Sequence, residues 1–244
     1  MRRRCATGAR MTPFFSPLLA GAHWPARLLA CLGAALCLAL TFLVCARLPL
    51  SHADLPIIVA PLGASAVLVF AVPASPLAQP WPVIGGNVVS ALVGVAAYHL
   101  IPQTALAAGV AVGGAILGMS LLRCLHPPGG AAALTAVIGS PGVHAAGWTF
   151  AFAPVGINSV ALVVLGILYH RMTRHSYPHR AAAPVAAPAP GLHAADIDAA
   201  LADLHETFDI APEDLDALLT RAEAHAAARR AGSTKTRQPG TPVR

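Results

Sequence analysis

The residues best suited to chemistry form a short run between two apolar stretches, His126-Pro127-Pro128-Gly129-Gly130. Two consecutive prolines remove two backbone donors and deny the preceding residues a regular helical path. Two glycines then let the main chain approach another group closely. In a lipid environment such a break is tolerated only where protein or a water-filled cavity satisfies the freed backbone groups. We therefore expect a site at this break.

A similar run, Pro61-Leu62-Gly63-Ala64-Ser65, interrupts an apolar stretch earlier in the chain. Helices that begin at Pro61 and Pro127 would each present unbonded backbone N–H groups and the positive end of a helix dipole. Small residues leave both starts open, as anion-binding helix starts require. Such a pair could hold a small monovalent anion without burying a charged side chain. The contacts predicted here are Pro61, Gly63, Ser65, His126, Pro127, Pro128, Gly129 and Gly130.

Amides and a hydroxyl inside apolar segments extend this candidate site to Asn87, Ser90 and Asn158. Ser90 lies one helical turn beyond Asn87, on the same face. An unsatisfied amide is expensive in hydrocarbon, so each asparagine must face protein, water or substrate. Hydrogen bonding between helices is the alternative for Asn158. Asn87 follows Gly85-Gly86, and we favour a role in the substrate pathway for it.

The imidazole of His126 has three open roles. It could contact the substrate or carry a proton, cap the preceding helix, or bind a metal. The last is disfavoured because Cys124 alone is not a ligand cluster. The apolar segments hold no Ser/His/Asp, Cys/His or paired-carboxylate set, so the sequence predicts no enzyme, no metal and no cofactor. His99 and His170, each next to a tyrosine, are expected to anchor helix ends at the membrane interface.

The elements that position these residues are apolar helices. Between Leu28 and His170 the formally charged residues are Arg47, Asp54 and Arg123, whereas a soluble domain carries roughly a quarter charged residues. The segment therefore cannot present a water-facing surface. Six apolar segments are predicted, at 28–46, 56–73, 83–101, 104–122, 127–140 and 148–170.

Two of the six segments are abnormal. The second contains Pro61, which should end one helix and start another. The fifth would be about 21 Å long as a helix, short of the roughly 30 Å hydrocarbon core. Basic residues flank the first and last segments and place both termini in the cytoplasm. An even number of crossings is then required, which favours six; a fifth segment that re-enters the membrane would give five and stays open.

An internal repeat supports six crossings. Pro61 to Leu68 resembles Pro127 to Leu134, and the spacing from Asn87 to Tyr98-His99 recurs from Asn158 to Tyr169-His170. Three segments in each copy is an odd number, so the second copy would enter the membrane inverted, as in many transporters. Chance alignment of small residues is the alternative. The predicted fold is an all-α polytopic membrane protein of two inverted three-helix repeats, whose second and fifth helices are broken.

The flanking regions have different compositions. Residues 191–244 carry six basic and nine acidic side chains, and their apolar spacing predicts a helical hairpin whose second helix opens at Pro212. The basic residues earlier in the chain flank the apolar segments and form no single face, which disfavours nucleic-acid binding. The predicted regions are a cytoplasmic tail 1–27, a transmembrane domain 28–170, a linker 171–190, a cytoplasmic hairpin 191–230 and a disordered tail 231–244.

Together these motifs resemble the HPP family of integral membrane proteins. The resemblance covers about residues 25–170 and rests on five separated motifs in the right order: Pro61 to Ser65, Ser75 to Pro80, Gly85 to Asn87, Ser90-Ala91 and His126 to Gly130. It implies a multi-pass protein. Members from photosynthetic organisms are implicated in nitrite movement, so the resemblance makes nitrite the first candidate substrate.

The sequence thus predicts transport of a small inorganic anion across the cell inner membrane, by a channel or a carrier. The expected partners are the lipid bilayer and the anion. Four small residues at helical spacing, Gly109, Gly113, Gly114 and Gly118, favour close helix contact, and a second copy of the chain could pack there. A membrane anchor that signals through the cytoplasmic hairpin is the main alternative. An enzyme that uses His126 as a general base is a weaker one.

Overall fold

A computed structural model describes residues 24–47, 59–180, 194–204 and 210–235, and these residues are predominantly helical, with no strand among them. The predicted tail 1–27 lies mostly outside the described residues, as do 181–190 of the linker and Asp54. Within the described ranges the α-helices are α1 (Trp24–Cys45), α2 (Pro61–Ala71), α3 (Asn87–Leu100), α4 (Thr104–Leu121), α5 (Pro128–Ile138), α6 (Pro141–Ala146), α7 (Ile157–Met172), α8 (Ala194–Leu204) and α9 (Pro212–Lys235).

Four helical stretches are long and apolar enough to cross a membrane: Arg27–Cys45, Pro82–Leu100, Thr104–Leu121 and Pro141–Met172. The two broken segments give shorter helices. Both α2 and α5 have 11 residues and are about 16 Å long, roughly half the hydrocarbon thickness. The all-helical membrane architecture is therefore confirmed, with four spans of full length.

Proline fixes where the short helices start. Pro61 and Pro128 occupy the first helical positions of α2 and α5, where the missing N–H costs nothing. The predicted start at Pro127 was one residue early, because Pro127 lies at the N-cap. Pro212 opens α9 as predicted, but that helix runs to Lys235. Disorder was predicted from residue 231, so it is wrong for 231–235; residues 236–244 lie outside the described ranges.

A turn of π-helix precedes each of the two helices that carry an asparagine. Pro82–Gly86 leads into α3, and Phe152–Gly156 leads into α7. The second turn contains a non-helical residue, Ala153, which kinks the long stretch Pro141–Met172. Turns of this kind interrupt the regular hydrogen-bond ladder and often mark functional sites. The loop expected near residues 140–147 contains α6.

The helices pack in two groups of three. One group is α1 with α2 and α7; the other is α4 with α3 and α5; α2 also touches α5. Small residues bring the second group close together, since a Cβ added to Gly94 of α3 would collide with the backbone oxygen of Ala133 in α5. The predicted glycine stripe of α4 is divided, because Gly114 and Gly118 face valines of α3 while Gly109 and Gly113 face open space.

Candidate functional site

The turn between α4 and α5 carries His126 into the interior. Arg123 adopts a left-handed conformation with φ of 53°, and the Cys124 N–H bonds back to the Met119 carbonyl at 2.9 Å. This is the usual way for a helix to end and reverse, although glycine is the common residue at that position. The chain then places His126 two residues before the start of α5, where its side chain is fully buried.

His126 is held from both sides of its ring. Its Nδ1 lies 2.8 Å from the Leu77 carbonyl, and its Nε2 lies 2.8 Å from the Ser65 hydroxyl oxygen. A carbonyl can only accept, so Nδ1 carries the proton of the neutral ring and Nε2 is the acceptor. The Ser65 hydroxyl therefore donates to Nε2. Ser65 lies one turn into α2, so this bond joins the start of α2 to the start of α5.

Asn87 extends the hydrogen bonding to two more helices. Its amide nitrogen donates to the hydroxyl oxygens of Ser65, at 3.3 Å, and of Ser159, at 3.1 Å. The Ser159 hydroxyl donates in turn to the Val155 carbonyl at 2.9 Å. Side chains from α2, α3 and α7 thus meet that of His126, which lies two residues before α5.

We call Ser65, Asn87, Ser90, His126 and Ser159 together the polar cluster. Two of its atoms have no hydrogen-bond partner. They are the Asn87 Oδ1 and the Ser90 hydroxyl oxygen. A buried group without a partner costs about 1–3 kcal/mol, so each such atom in a folded protein requires an explanation. The cluster contains no carboxylate, lysine or arginine, and every side chain in it is at most 2% exposed.

Glycines allow the backbone segments to meet around the cluster. A Cβ added to Gly129 would lie 2.6 Å from the Ser90 hydroxyl and 3.0 Å from the Gly86 carbonyl. One added to Gly86 would lie 2.6 Å from the His126 Cβ. No real Cβ approaches so closely, so α3 and the start of α5 can touch only because both positions lack a side chain.

The helix starts differ from the sequence-based expectation in one respect. Unbonded backbone donors were expected there. Instead, the Leu62 N–H bonds to the Val59 carbonyl and the Gly63 N–H bonds to the Ala60 carbonyl. Those of Gly129 and Gly130 bond to the carbonyls of His126 and Pro127. The expectation of free amides is therefore wrong for these four residues, because each first turn tightens and uses its own carbonyls. What the two helix starts bring together is their positive ends and the side chains beside them.

Several predicted site residues lie away from the cluster. Asn158 donates to the Cys45 sulfur at 3.1 Å and accepts from the Val59 N–H at 3.0 Å, so it ties the end of α1 to the start of α2. Pro61 and Pro128 are buried helix starts, and Pro127 is exposed. A Cβ added to Gly63 would meet nothing within 4 Å, and one added to Gly130 would be in ordinary van der Waals contact with Val112, at 3.9 Å.

His99 and His170 were both expected to anchor helix ends at the membrane interface, and the structure places only His99 at an exposed helix end. His99 is exposed beside Tyr98 and Trp148, as expected of an interface anchor. His170 is 2% exposed, and its Nε2 lies 2.9 Å from the Val69 carbonyl. The anchor prediction for His170 is therefore wrong.

Sequence reasoning missed two members of the hydrogen-bond chain. Ser159 directly follows Asn158, and a second polar side chain at that point of an apolar segment is the signal that could have found it. The Leu77 carbonyl gives no side-chain signal, although it lies inside the motif Ser75 to Pro80. Only the fold brings that carbonyl to His126.

The loop at residues 73–80, which supplies the Leu77 carbonyl, is braced from the C-terminal side. The Tyr177 hydroxyl donates to the Ala78 carbonyl at 2.9 Å, and the His179 N–H donates to the Gln79 Oε1 at 2.8 Å. The His179 ring in turn lies 2.9 Å from the carboxylate of Asp214 in α9. A continuous path of contacts therefore runs from α9 through this loop to His126.

Comparison with known proteins places the cluster inside a recognised region. A family model described as the HPP transmembrane region matches residues 20–178. A transmembrane protein of Dictyostelium discoideum is 40% identical over 121 residues, which cover 48% of this chain and 39% of that protein. A second transmembrane protein of the same organism is 35% identical over 131 residues, which cover 52% of this chain and 46% of that protein. The chain thus spans less than half the length of either relative, and no solved structure matches it.

Proposed function

Because the chain belongs to the HPP transmembrane family, we propose that it moves a small inorganic anion across the membrane through the polar cluster. Nitrite is the first candidate, since the motifs resemble those of relatives implicated in nitrite movement. The observation that carries the proposal is a fully buried group of neutral hydrogen-bonding side chains where the starts of α2 and α5 meet. The positive ends of both helices favour a negative charge there.

The two unpartnered atoms define the solute further. The Ser90 hydroxyl can donate to an anion, while the Asn87 Oδ1 can only accept. A bare oxyanion offers acceptors alone, whereas its protonated form offers one donor as well. The pair therefore suits an oxyanion that travels with a proton, so the flux is proton-linked. No catalytic step is part of the proposal, in which the side chains of the cluster only bind and pass the solute.

Burial of the cluster favours a carrier over an open channel. Its members are at most 2% exposed, so solute reaches them only after a rearrangement. The π-helical turns before α3 and α7 are suitable points for such a movement, since they already interrupt the helical ladder. A carrier of this kind would open the cluster to one side of the membrane at a time.

We place this mechanism on two inverted repeats, α1–α2–α3 and α4–α5–α7. The packing supports the division, because the third helix of each repeat packs against the first two helices of the other. Each third helix also follows a π-helical turn. With α2 and α5 as partial crossings this gives six transmembrane segments. Both termini then lie on the cytoplasmic side of the inner membrane, as the flanking basic residues require.

Uptake into proteoliposomes tests the proposal. The full chain is reconstituted, a pH gradient is imposed, and nitrite inside the vesicles is measured over time. His126→Ala should abolish uptake, because it removes the group that links Ser65 to the loop at 73–80. His99→Ala is the matched control and should transport like the wild type, since His99 is exposed at a helix end. Equal uptake by the two variants would remove His126 from the pathway.

A second candidate function is signalling through the cytoplasmic hairpin. The contact between Asp214 and His179, and the bond from His179 to Gln79, favour it by connecting α9 to the loop beside the cluster. Removal of residues 181–244 separates the two functions. A transporter keeps nitrite uptake without the hairpin, whereas a signalling anchor loses its activity and shows no uptake in either form.

A further inference from the structure

A cavity lies at the opposite end of α2 from the polar cluster. Its volume is about 410 Å³, and it opens between the start of α1, the end of α2 and the end of α7. Pockets of several hundred cubic ångströms commonly hold small molecules or parts of larger ones. The residues that give the cavity its character are Arg27, Leu29, Val67, Phe70, His170 and His175.

The walls of the cavity are apolar and continue onto the outer face of the helices. Leu29 is 41% exposed and Val67 is 59% exposed. Both lie within helices of the membrane domain, where the outer surface meets hydrocarbon. A soluble ion would leave these walls unfilled, whereas an acyl chain would cover them.

Polar groups also belong to the lining of the same cavity. Arg27 supplies a permanent positive charge, and Thr173 and His175 supply hydrogen-bonding groups. In the described part of the chain every acidic side chain belongs to α8 or α9, so the cavity lining itself brings no carboxylate to Arg27. The Arg27 guanidinium lies over the Trp24 ring, 5.8 Å from its centroid, and the residue is exposed, so its charge can also contact an external anion.

A buried histidine beside the cavity lacks one hydrogen-bond partner. His170 contributes to the lining and is stacked on Phe70, with ring centroids 5.7 Å apart. Its Nε2 donates to the Val69 carbonyl, so Nδ1 of the neutral ring is an acceptor, and that atom is buried without a partner. This unpartnered acceptor belongs to a residue of the cavity lining, and a ligand hydroxyl is the kind of group that would satisfy it.

We propose that this cavity binds an anionic phospholipid with a hydroxylated headgroup. The phosphate lies against Arg27 and His175, a headgroup hydroxyl donates to His170, and one acyl chain follows Leu29 and Val67. Basic cavities between transmembrane helices suit anionic headgroups for the same electrostatic reason. The site is independent of the transport proposal, because none of its residues belongs to the polar cluster.

Lipid retention by the purified full chain tests the site. The protein is placed in nanodiscs of phosphatidylcholine mixed with phosphatidylglycerol, released, and examined by native mass spectrometry. The wild type should retain phosphatidylglycerol in preference to phosphatidylcholine. Arg27→Gln should weaken that retention about fivefold, as expected for one basic residue at a membrane surface. Arg47→Gln, at the other end of α1, should retain the lipid like the wild type.

A second pair of variants probes the apolar wall without changing charge. Ala30 lines the cavity and Ala35 is exposed elsewhere on α1. Ala30→Phe should lower phosphatidylglycerol retention by filling the acyl channel, and Ala35→Phe should leave it unchanged. The proposal is overturned if the wild type shows no preference for phosphatidylglycerol, or if Arg27→Gln and Arg47→Gln behave alike. It is equally overturned if Ala30→Phe and Ala35→Phe retain the lipid equally. All of these readouts are separate from nitrite uptake.

Discussion

Asn87 is the first residue of α3 and Asn158 the second residue of α7, each just after a π-helical turn, yet their amides have different hydrogen-bond partners. Both ends of the Asn158 side chain are used to hold α1 and α2 together. The Asn87 nitrogen instead joins Ser65 to Ser159, and its oxygen has no partner. The two amides therefore differ in one respect: Asn158 uses both of its polar atoms to stabilise the fold, whereas Asn87 keeps an acceptor that, in our proposal, a solute uses.

The helix starts differ in the same way. Gly129 of α5 is pressed against Ser90 and Gly86, whereas Gly63 of α2 faces open space. The start of α5 also carries His126, while Ala60 precedes α2. The starts of α2 and α5 thus both begin with proline but differ in the polar groups and close contacts beside them. The substitutions below run from the largest expected effect on stability to the smallest.

The largest difference is expected between Gly129→Ala and Gly63→Ala. The first places a methyl group where there is no room and should destabilise the protein by about 1–3 kcal/mol, as overpacking usually does. The second meets no neighbour and should stabilise α2 by about 0.5–1 kcal/mol, since glycine is unfavourable within a helix. Reversible unfolding in mixed micelles measures both. Equal effects would mean that the close contact at Gly129 does not form.

A smaller difference is expected between the asparagines. Asn158→Ala leaves the buried Val59 N–H without its acceptor and should cost about 1–3 kcal/mol. Asn87→Ala removes two bonds but also one buried, unpartnered oxygen, so its cost should be lower. The same unfolding assay compares the two variants. If Asn87→Ala proves the more damaging, Asn87 has the structural task that we assign to Asn158.

The smallest effect on stability is expected for Ser90→Ala. The Ser90 hydroxyl has no partner, so its removal takes away a buried polar group without breaking a bond. The free energy of unfolding should change by less than about 0.5 kcal/mol or rise slightly. Nitrite uptake should fall all the same, because the proposed donor to the solute is gone. A large loss of stability would show that this hydroxyl has a partner in the membrane.

Much of this arrangement was accessible to sequence reasoning, because proline and glycine have local consequences. Pro61 fixed the start of α2, Pro212 fixed that of α9, and the start of α5 was missed by one residue. The nearly charge-free stretch from 28 to 170 indicated the membrane. The pairing of Ser65 with His126 lies where the predicted helix starts were expected to converge.

The errors arise from contacts between residues distant in sequence. The partners of Asn158 lie 113 and 99 residues away in Cys45 and Val59, and no local pattern announces them. Burial of His170 depends on the end of α2 reaching the end of α7. The bonded amides at the helix starts depend on whether each first turn tightens, which composition does not determine.

The most direct test of the account compares nitrite uptake by Asn87→Ala and Asn158→Ala, each expressed per molecule of folded, inserted protein. The two variants remove the same side chain from corresponding positions of the two halves. The account predicts that Asn87→Ala loses uptake, while Asn158→Ala transports at close to the wild-type rate once its lower stability is allowed for. Equal uptake by both variants, or loss in Asn158→Ala alone, would contradict it.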